Sequence, residues 1–311
     1  MTQSRMLREE FGEALVDFGK MYTNLVVLDA DISSSLKTGA FTKKYQERHF
    51  NFGVAEQNML MAAAGIATTG LIPLACTYAT FASMRACEQI RSMICYPKLN
   101  VKIITTHGGI ETGWDGPTHQ ATEDIAMMRS IPNMTLVGPA DATAVRPLLQ
   151  QAIELDGPVY FRMGRNPVAV IYDSNQQFTI GKAVTLQEGG DVLLVAAGNM
   201  VASAINVVQK LKQQGLKCGL IDMHTIKPLD EETLVDAAGH VDLVVSLEDH
   251  NVIGGLGGAV AECLAEKLPK PLLRIGVPDT FTESGSPREL YEKYGMDTET
   301  IIERIKTSLQ N

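Results

Sequence analysis

Hydrophobic positions recur along this chain in two periods. Leu7, Phe11, Leu15 and Phe18 fall at helical spacing, so the first element is predicted to be an amphipathic helix. Leu25-Val26-Val27-Leu28 is a continuous β-prone run, as in a strand covered on both faces. It ends in Asp29-Ala30-Asp31 and Ser33-Ser34-Ser35, which places polar groups at a strand's carboxyl end. A short apolar run then leads through Asn51-Phe52-Gly53-Val54-Ala55 into a helix carrying Met59, Leu60, Ala63, Ala64 and Ala67, with Glu56 at its start. Further strands are predicted over 72–76, 101–106, 134–137 and 159–163, and helices over 81–94 and 140–155. From 167 to about 190 the pattern loosens, with polar Asn175-Gln176-Gln177 and the break Gly189-Gly190. A second alternating set follows. Its strands are predicted over 191–196, 218–222, 243–247 and 272–275, and its helices over 200–214, 230–238 and 258–267, with a last one from Asp297.

Strands alternating with helices imply the α/β class, with two doubly wound sheets. The reading divides the chain into a first domain over 1–170, a linker over 171–190 and a second domain over 191–311. Ligands on such sheets bind beyond the carboxyl ends of the strands. Glu56, the 77–81 segment and the 107–119 loop all follow predicted strands, so they can converge at one sheet edge.

Composition narrows the class. A chain of 311 residues, 45% hydrophobic and 20% charged, can form two sizeable cores. A formal net charge of −9 argues against a nucleic-acid or anionic-membrane surface. Cys76, Cys87, Cys95, Cys218 and Cys263 form no C-x-x-C pair and read as reduced thiols of a cytoplasmic protein. The opening Met1-Thr2-Gln3-Ser4-Arg5 has no apolar signal core, and no apolar run is long enough to span a bilayer.

Candidate chemistry sits in a few stretches. A carboxylate at a helix start is commonly satisfied by free backbone N–H groups, and Glu56 alone reads that way. Its functional reading is a buried acid able to donate a proton. Gly254-Gly255-Leu256-Gly257-Gly258 fails the dinucleotide-binding spacing, because Val260 occupies the last glycine position, and reads as a tight strand-to-helix turn. The stretch His107-Gly108-Gly109-Ile110-Glu111-Thr112-Gly113-Trp114-Asp115-Gly116-Pro117-Thr118-His119-Gln120 gathers two histidines, two acids and four glycines in one connection. No metal is expected there, since the spacing is not a helical His-x-x-x-His and no cysteine supports it. Its glycines let the backbone approach a ligand, and its imidazoles and carboxylate suit a hydroxyl-rich substrate. Tyr78 and Phe81 read either as core residues or as ring faces for a flat ligand. Arg8, Arg162 and Arg165 suit phosphate, though each alone reads more safely as solvated surface charge.

Together, G-V-A-E-Q-N-M, T-Y-A-T-F, T-H-G-G-I-E-T-G-W-D-G-P-T-H-Q and D-G-P-V-Y-F-R-M-G-R resemble transketolase. The resemblance runs essentially end to end, over a pyrimidine-binding domain and then a C-terminal domain. The chain is similar to the C-terminal subunit of a split transketolase. The resemblance implies thiamine diphosphate as cofactor, with Glu56 hydrogen-bonding its aminopyrimidine, Phe81 stacked on that ring, Tyr78 as a second wall and Asp31 nearby. It implies that His119 and Asp115 bind donor-sugar hydroxyls, His119 also acting catalytically with Glu56. Arg8, Ser35, His107 and Arg165 then bind the substrate phosphate. Two departures stand out: Met84 lies where an aromatic residue is often found, and Trp114 where an acid is common.

The implied reaction moves a two-carbon ketol unit from a ketose phosphate to an aldose phosphate. Rival readings are the β subunit of a 2-oxo acid dehydrogenase, a 1-deoxyxylulose-5-phosphate synthase-like enzyme, and a non-catalytic regulatory subunit. The first would need neither the two histidines flanking D-G-P-T nor phosphate-binding arginines. Families using this cofactor hold its diphosphate through a metal ion, with a G-D-G signature followed by an asparagine pair. This sequence has no Gly-Asp-Gly and no Asn-Asn. The resemblance therefore implies a separate N-terminal partner subunit that carries the diphosphate site with its Mg or Ca ion. It further implies an α2β2 heterotetramer built on a two-fold axis.

Overall fold

The structure is a computed structural model, described over residues 4–310; residues 1–3 of the polar opening stretch lie outside the described residues. Two large sheets carry the chain, beside a two-stranded pairing of Ser4–Arg5 with Val168–Ala169. The first has seven strands in the order Thr225–Lys227, Thr135–Val137, Val159–Arg162, Lys102–Thr106, Ile72–Tyr78, Leu25–Asp29, His49–Asn51. All of its pairings are parallel except the one made by Thr225–Lys227. The second has five strands in the order Leu272–Val277, Leu243–Asn251, Val192–Ala196, Cys218–Asp222, Val184–Gln187, the last antiparallel. Helices cover both sheets, so each is of the α/β type expected.

The parallel strands read as largely apolar runs because both faces are covered, and all five residues of Leu25–Asp29 are buried. The helix Leu7–Met21 lays Leu7, Phe11, Leu15 and Phe18 onto the first sheet, as its spacing predicts. Full burial of a side chain such as Phe11 stabilises the fold by about 1.5–3 kcal/mol. The helix Glu56–Ala67 buries Met59, Leu60, Ala63 and Ala64 on the opposite face.

Three features depart from the pattern in the sequence. The helix expected over 81–94 is two π-helical pieces, Phe81–Arg85 and Gln89–Cys95, hinged at Ala86. Ser83 Oγ donates to the Ala79 carbonyl at 2.8 Å and so competes for the acceptor four residues back. Second, Val184–Gln187 within the loose stretch is a strand of the second sheet. Third, Thr225–Lys227 leaves the second half to close an edge of the first sheet, where the Gly138 N–H also donates to the His224 carbonyl at 2.8 Å.

Arg162 ties the halves together. Read from sequence as a phosphate ligand or surface charge, it is instead buried at the end of the strand Val159–Arg162. Its Nε and Nη2 donate to the Asp124 carboxylate at 2.7 and 3.1 Å, and Nη2 also reaches the carbonyls of Ala121 (3.1 Å) and Asp249 (3.0 Å). With Nε and Nη2 held by protein acceptors and its side chain buried, Arg162 is a structural cation and not a solvated surface charge. Around it, Arg129 makes a bidentate pair with Glu262, both distances 2.7 Å. No helix among the described residues is long and apolar enough to cross a membrane.

Replacing Arg162 by Met leaves Asp124 as an uncompensated buried charge. The expected cost is about 3–5 kcal/mol, read as a lower midpoint in urea denaturation. A midpoint within error of the wild type removes Arg162 from its place in the architecture.

Candidate active site

Four neighbouring strands of the first sheet end side by side: Leu25–Asp29, Ile72–Tyr78, Lys102–Thr106 and Val159–Arg162. Tyr78 pairs with Thr106, and Thr105 with Arg162, so the residues that follow emerge at one edge. Strand order alone thus delivers Ser35, Tyr78, Phe81, His107 and Arg165 to the same crevice.

Tyr78 is the hub. Its hydroxyl meets Ser35 Oγ at 2.8 Å, and its ring lies 4.1 Å from that of His107 and 6.1 Å from that of His119. Phe81 stands 5.8 Å from Tyr78, and the His119 ring meets it edge-on at 5.1 Å. Arg8 reaches in from the first helix and donates to the Ser35 carbonyl at 3.2 Å. Arg165 Nη1 donates to the Thr112 carbonyl at 2.5 Å and lies 3.5 Å from Asp115 Oδ2. Asp31 stands apart: it is exposed, in a left-handed conformation, and tied to Asn51 Nδ2 at 3.1 Å rather than to the ring cluster.

His107 is buried, and its pKa is lowered to about 3 by that burial and by Arg165, Arg8 and His119. It is therefore neutral near pH 7 and serves the site as a hydrogen-bonding ring, while the positive charge beside it comes from Arg8 and Arg165. Glu56 is buried at the first position of its helix. Its Oε2 accepts from Arg85 Nη1 at 2.6 Å, and the Arg85 guanidinium lies 4.4 Å from the centre of the Phe81 ring. Arg85 went unread in the sequence. The available signal was its place four residues after Phe81, where an arginine on a helix reaches back over an aromatic ring.

The glycine-rich loop is held from the second half of the chain. Asp249 accepts from the Ile110 N–H at 2.8 Å, from Tyr291 Oη at 2.8 Å and from Asn199 Nδ2 at 3.0 Å. Gly109 must be glycine here: its φ is +81°, and a Cβ would sit 2.1 Å from the Asp249 carboxyl carbon. Glu111 turns away from the crevice. It accepts from the backbone N–H groups of Arg165 and Asn166 and from Asn199 Nδ2 at 2.9 Å. Burial and the neighbouring Asp249 raise its pKa to about 7 against these hydrogen bonds.

Comparison with known proteins places these features in a group. The transketolase pyrimidine-binding domain matches residues 3–169, and the transketolase C-terminal domain matches residues 181–301. A Methanocaldococcus jannaschii protein, named provisionally as a transketolase C-terminal section, is 48% identical over 307 residues, 98% of this chain and 96% of that one. The 6-deoxy-6-sulfo-D-fructose transketolase subunit SqwH of Clostridium sp. (strain MSTE9) is 40% identical over 300 residues, covering 96% and 93%. Among solved structures, a split-gene transketolase described as an inactive β4 tetramer superposes with a TM-score of 0.92 at 46% identity, covering 98% of each chain.

Glu111 gives a pH prediction. Its folded pKa is raised from 4.5 to about 7, so the folded state holds more protons than the unfolded state in that window. Its contribution to stability is therefore best below 4.5 and falls as pH rises towards 7. Glu111→Gln keeps an acceptor for the Arg165 and Asn166 N–H groups but cannot ionise. The thermal midpoint of the variant, minus that of the wild type, should increase between pH 5 and about pH 7 and level off above it. Parallel curves would show that Glu111 does not titrate there.

Proposed function

The chain belongs to the transketolase family, and from that premise we propose that it is the C-terminal subunit of a split transketolase. Its reaction is the thiamine diphosphate-dependent transfer of a two-carbon ketol unit from a ketose phosphate to an aldose phosphate. One observation carries the cofactor assignment. A single planar cation, the Arg85 guanidinium, touches the buried Glu56 carboxylate at 2.6 Å and lies 4.4 Å from the centre of the Phe81 ring. A flat nitrogen-bearing ring of the cofactor fits the same pair of partners, so the residues present suit the group.

Bound thiamine diphosphate supplies the carbon nucleophile that takes up and releases the two-carbon unit. The chain's own residues do the rest. Glu56 holds the proton shared with the pyrimidine edge, and Phe81 and Tyr78 wall the ring. Asp31, tied to Asn51 and apart from the ring cluster, keeps only the outlying place near the cofactor that the family resemblance implies. His119, whose Nδ1 lies 3.0 Å from Thr118 Oγ1, moves a proton at a substrate hydroxyl, and Asp115 accepts from the donor sugar. Arg8, Arg165 and Ser35 bind the substrate phosphate, with His107 as a neutral hydrogen-bonding neighbour. Residues 1–170 form the pyrimidine-binding unit of this reading and 191–311 the C-terminal unit, joined by 171–190.

The diphosphate end of the cofactor, with its Mg or Ca ion, belongs to a separate N-terminal subunit in this reading, and the assembly is α2β2. The SqwH relative is named as a subunit, and the solved neighbour is described as an inactive tetramer of β chains alone; both support a need for a second polypeptide. The proposed setting is the cytoplasm.

The decisive experiment mixes this chain with its N-terminal partner, magnesium and thiamine diphosphate, and assays ketol transfer between sugar phosphates. Activity is expected only on mixing, and Glu56→Gln should lower it by orders of magnitude with the fold intact. Turnover by this chain alone, or near-normal turnover in Glu56→Gln, would sink the reading.

Arg165→Ala separates phosphate binding from structure. A lost charge-assisted hydrogen bond is worth about 1.5–3 kcal/mol, so the KM for phosphorylated sugars should rise roughly 10- to 100-fold. Unphosphorylated sugars should be far less affected. Equal effects on both would mean that the arginine serves the loop instead.

A further inference from the structure

Arg85 is the charged group at the crevice that the proposed chemistry leaves without a task. Its side chain is 44% exposed, whereas that of Glu56 is 2% exposed. One end of the pair is thus fixed in the core and the other is free to leave. The contacts of the guanidinium are specific. It presents N–H to the Glu56 carboxylate at 2.6 Å while lying 4.4 Å from the centre of the Phe81 ring. A ring-protonated aminopyrimidine offers the same chemistry: one N–H of a planar cation donating to a carboxylate, with its π face against an aromatic ring.

We propose that Arg85 is a built-in occupant of the pyrimidine subsite, which the incoming cofactor displaces from both Glu56 and Phe81. The inference rests on the cofactor reading above and adds to it a residue that sets cofactor affinity. The local backbone suits such an exchange. Arg85 is the last residue of the π-helical piece Phe81–Arg85, next to the hinge at Ala86. Release of the side chain to solvent breaks no backbone hydrogen bond. While the guanidinium is in place, Glu56 is not left as an uncompensated buried carboxylate. When it leaves, Glu56 is free for the ligand ring. The observed affinity is then the intrinsic affinity scaled by the fraction of time the subsite is empty.

The test is cofactor binding to the assembled two-subunit protein, followed by calorimetry with thiamine diphosphate and magnesium. Arg85→Met keeps an apolar stem and removes the planar cation. If the subsite of the wild type is empty about one tenth of the time, the variant binds about tenfold more tightly. Methylguanidinium added to Arg85→Met should refill the vacated position and raise the apparent Kd, and it should have little effect on the wild type. An unchanged or higher Kd in Arg85→Met overturns the proposal. Glu56→Gln separates the two levels of inference. If it weakens binding while Arg85→Met leaves affinity unchanged, the occupancy idea fails and the cofactor reading stands. If neither variant changes affinity, the cofactor reading falls as well.

Discussion

A single buried guanidinium governs how the rest of this molecule is arranged. Arg162 lies within the core, where an unpaired charge is expensive, so the chain must bring acceptors to it. It gathers the Asp124 carboxylate and the carbonyls of Ala121 and Asp249 from two segments far apart in the chain. Asp124 in turn accepts from Tyr160 Oη at 2.9 Å. Asp249, whose carbonyl is fixed on Arg162, turns its carboxylate to the Ile110 N–H of the glycine-rich loop. The requirement to neutralise one cation therefore sets the docking of the second half and, through Asp249, the seat of the glycine-rich loop.

Charge within the crevice is arranged by the same rule at smaller scale. The protein is acidic overall, yet Arg8 and Arg165 both face the His107 ring. Two guanidiniums and a burying wall leave an imidazole no reason to ionise. The site thus keeps cations that cannot lose their charge, and a ring that responds to a ligand only through hydrogen bonding. Glu111 lies on the far side of the same loop with its carboxylate on the Arg165 and Asn166 N–H groups. The acid of the loop supports the backbone that carries Arg165, while Asp115 faces the guanidinium itself.

The alternation of strands and helices was legible because it depends on local pattern. Buried parallel strands are mostly apolar, and amphipathic helices repeat near 3.6 residues. The convergence of Tyr78, Phe81, His107 and Arg165 was legible for a related reason: each follows a strand, and strand ends share an edge. What escaped the reading depended on contacts distant in sequence. Arg162 looked like surface charge because Asp124 and Asp249 lie 38 and 87 positions away. Thr225–Lys227 was unreadable as a strand of the first sheet because strands adjacent in sequence usually pair with each other. The π-helical piece Phe81–Arg85, where Ser83 bonds back to Ala79, was hidden because wider winding leaves the apolar pattern unchanged.

That crossing strand bears on how the chain is made. Folding during synthesis proceeds from the first residues onward, at about 5–20 residues per second. The strands of the first sheet through Val159–Arg162 have emerged about 65 residues before Lys227. For several seconds on the ribosome, the edge strand Thr135–Val137 therefore presents unpaired backbone groups, and such edges template pairing with other chains. That exposure of Thr135–Val137 falls within the protein's own translation, and it ends when the second half supplies the strand that pairs with it.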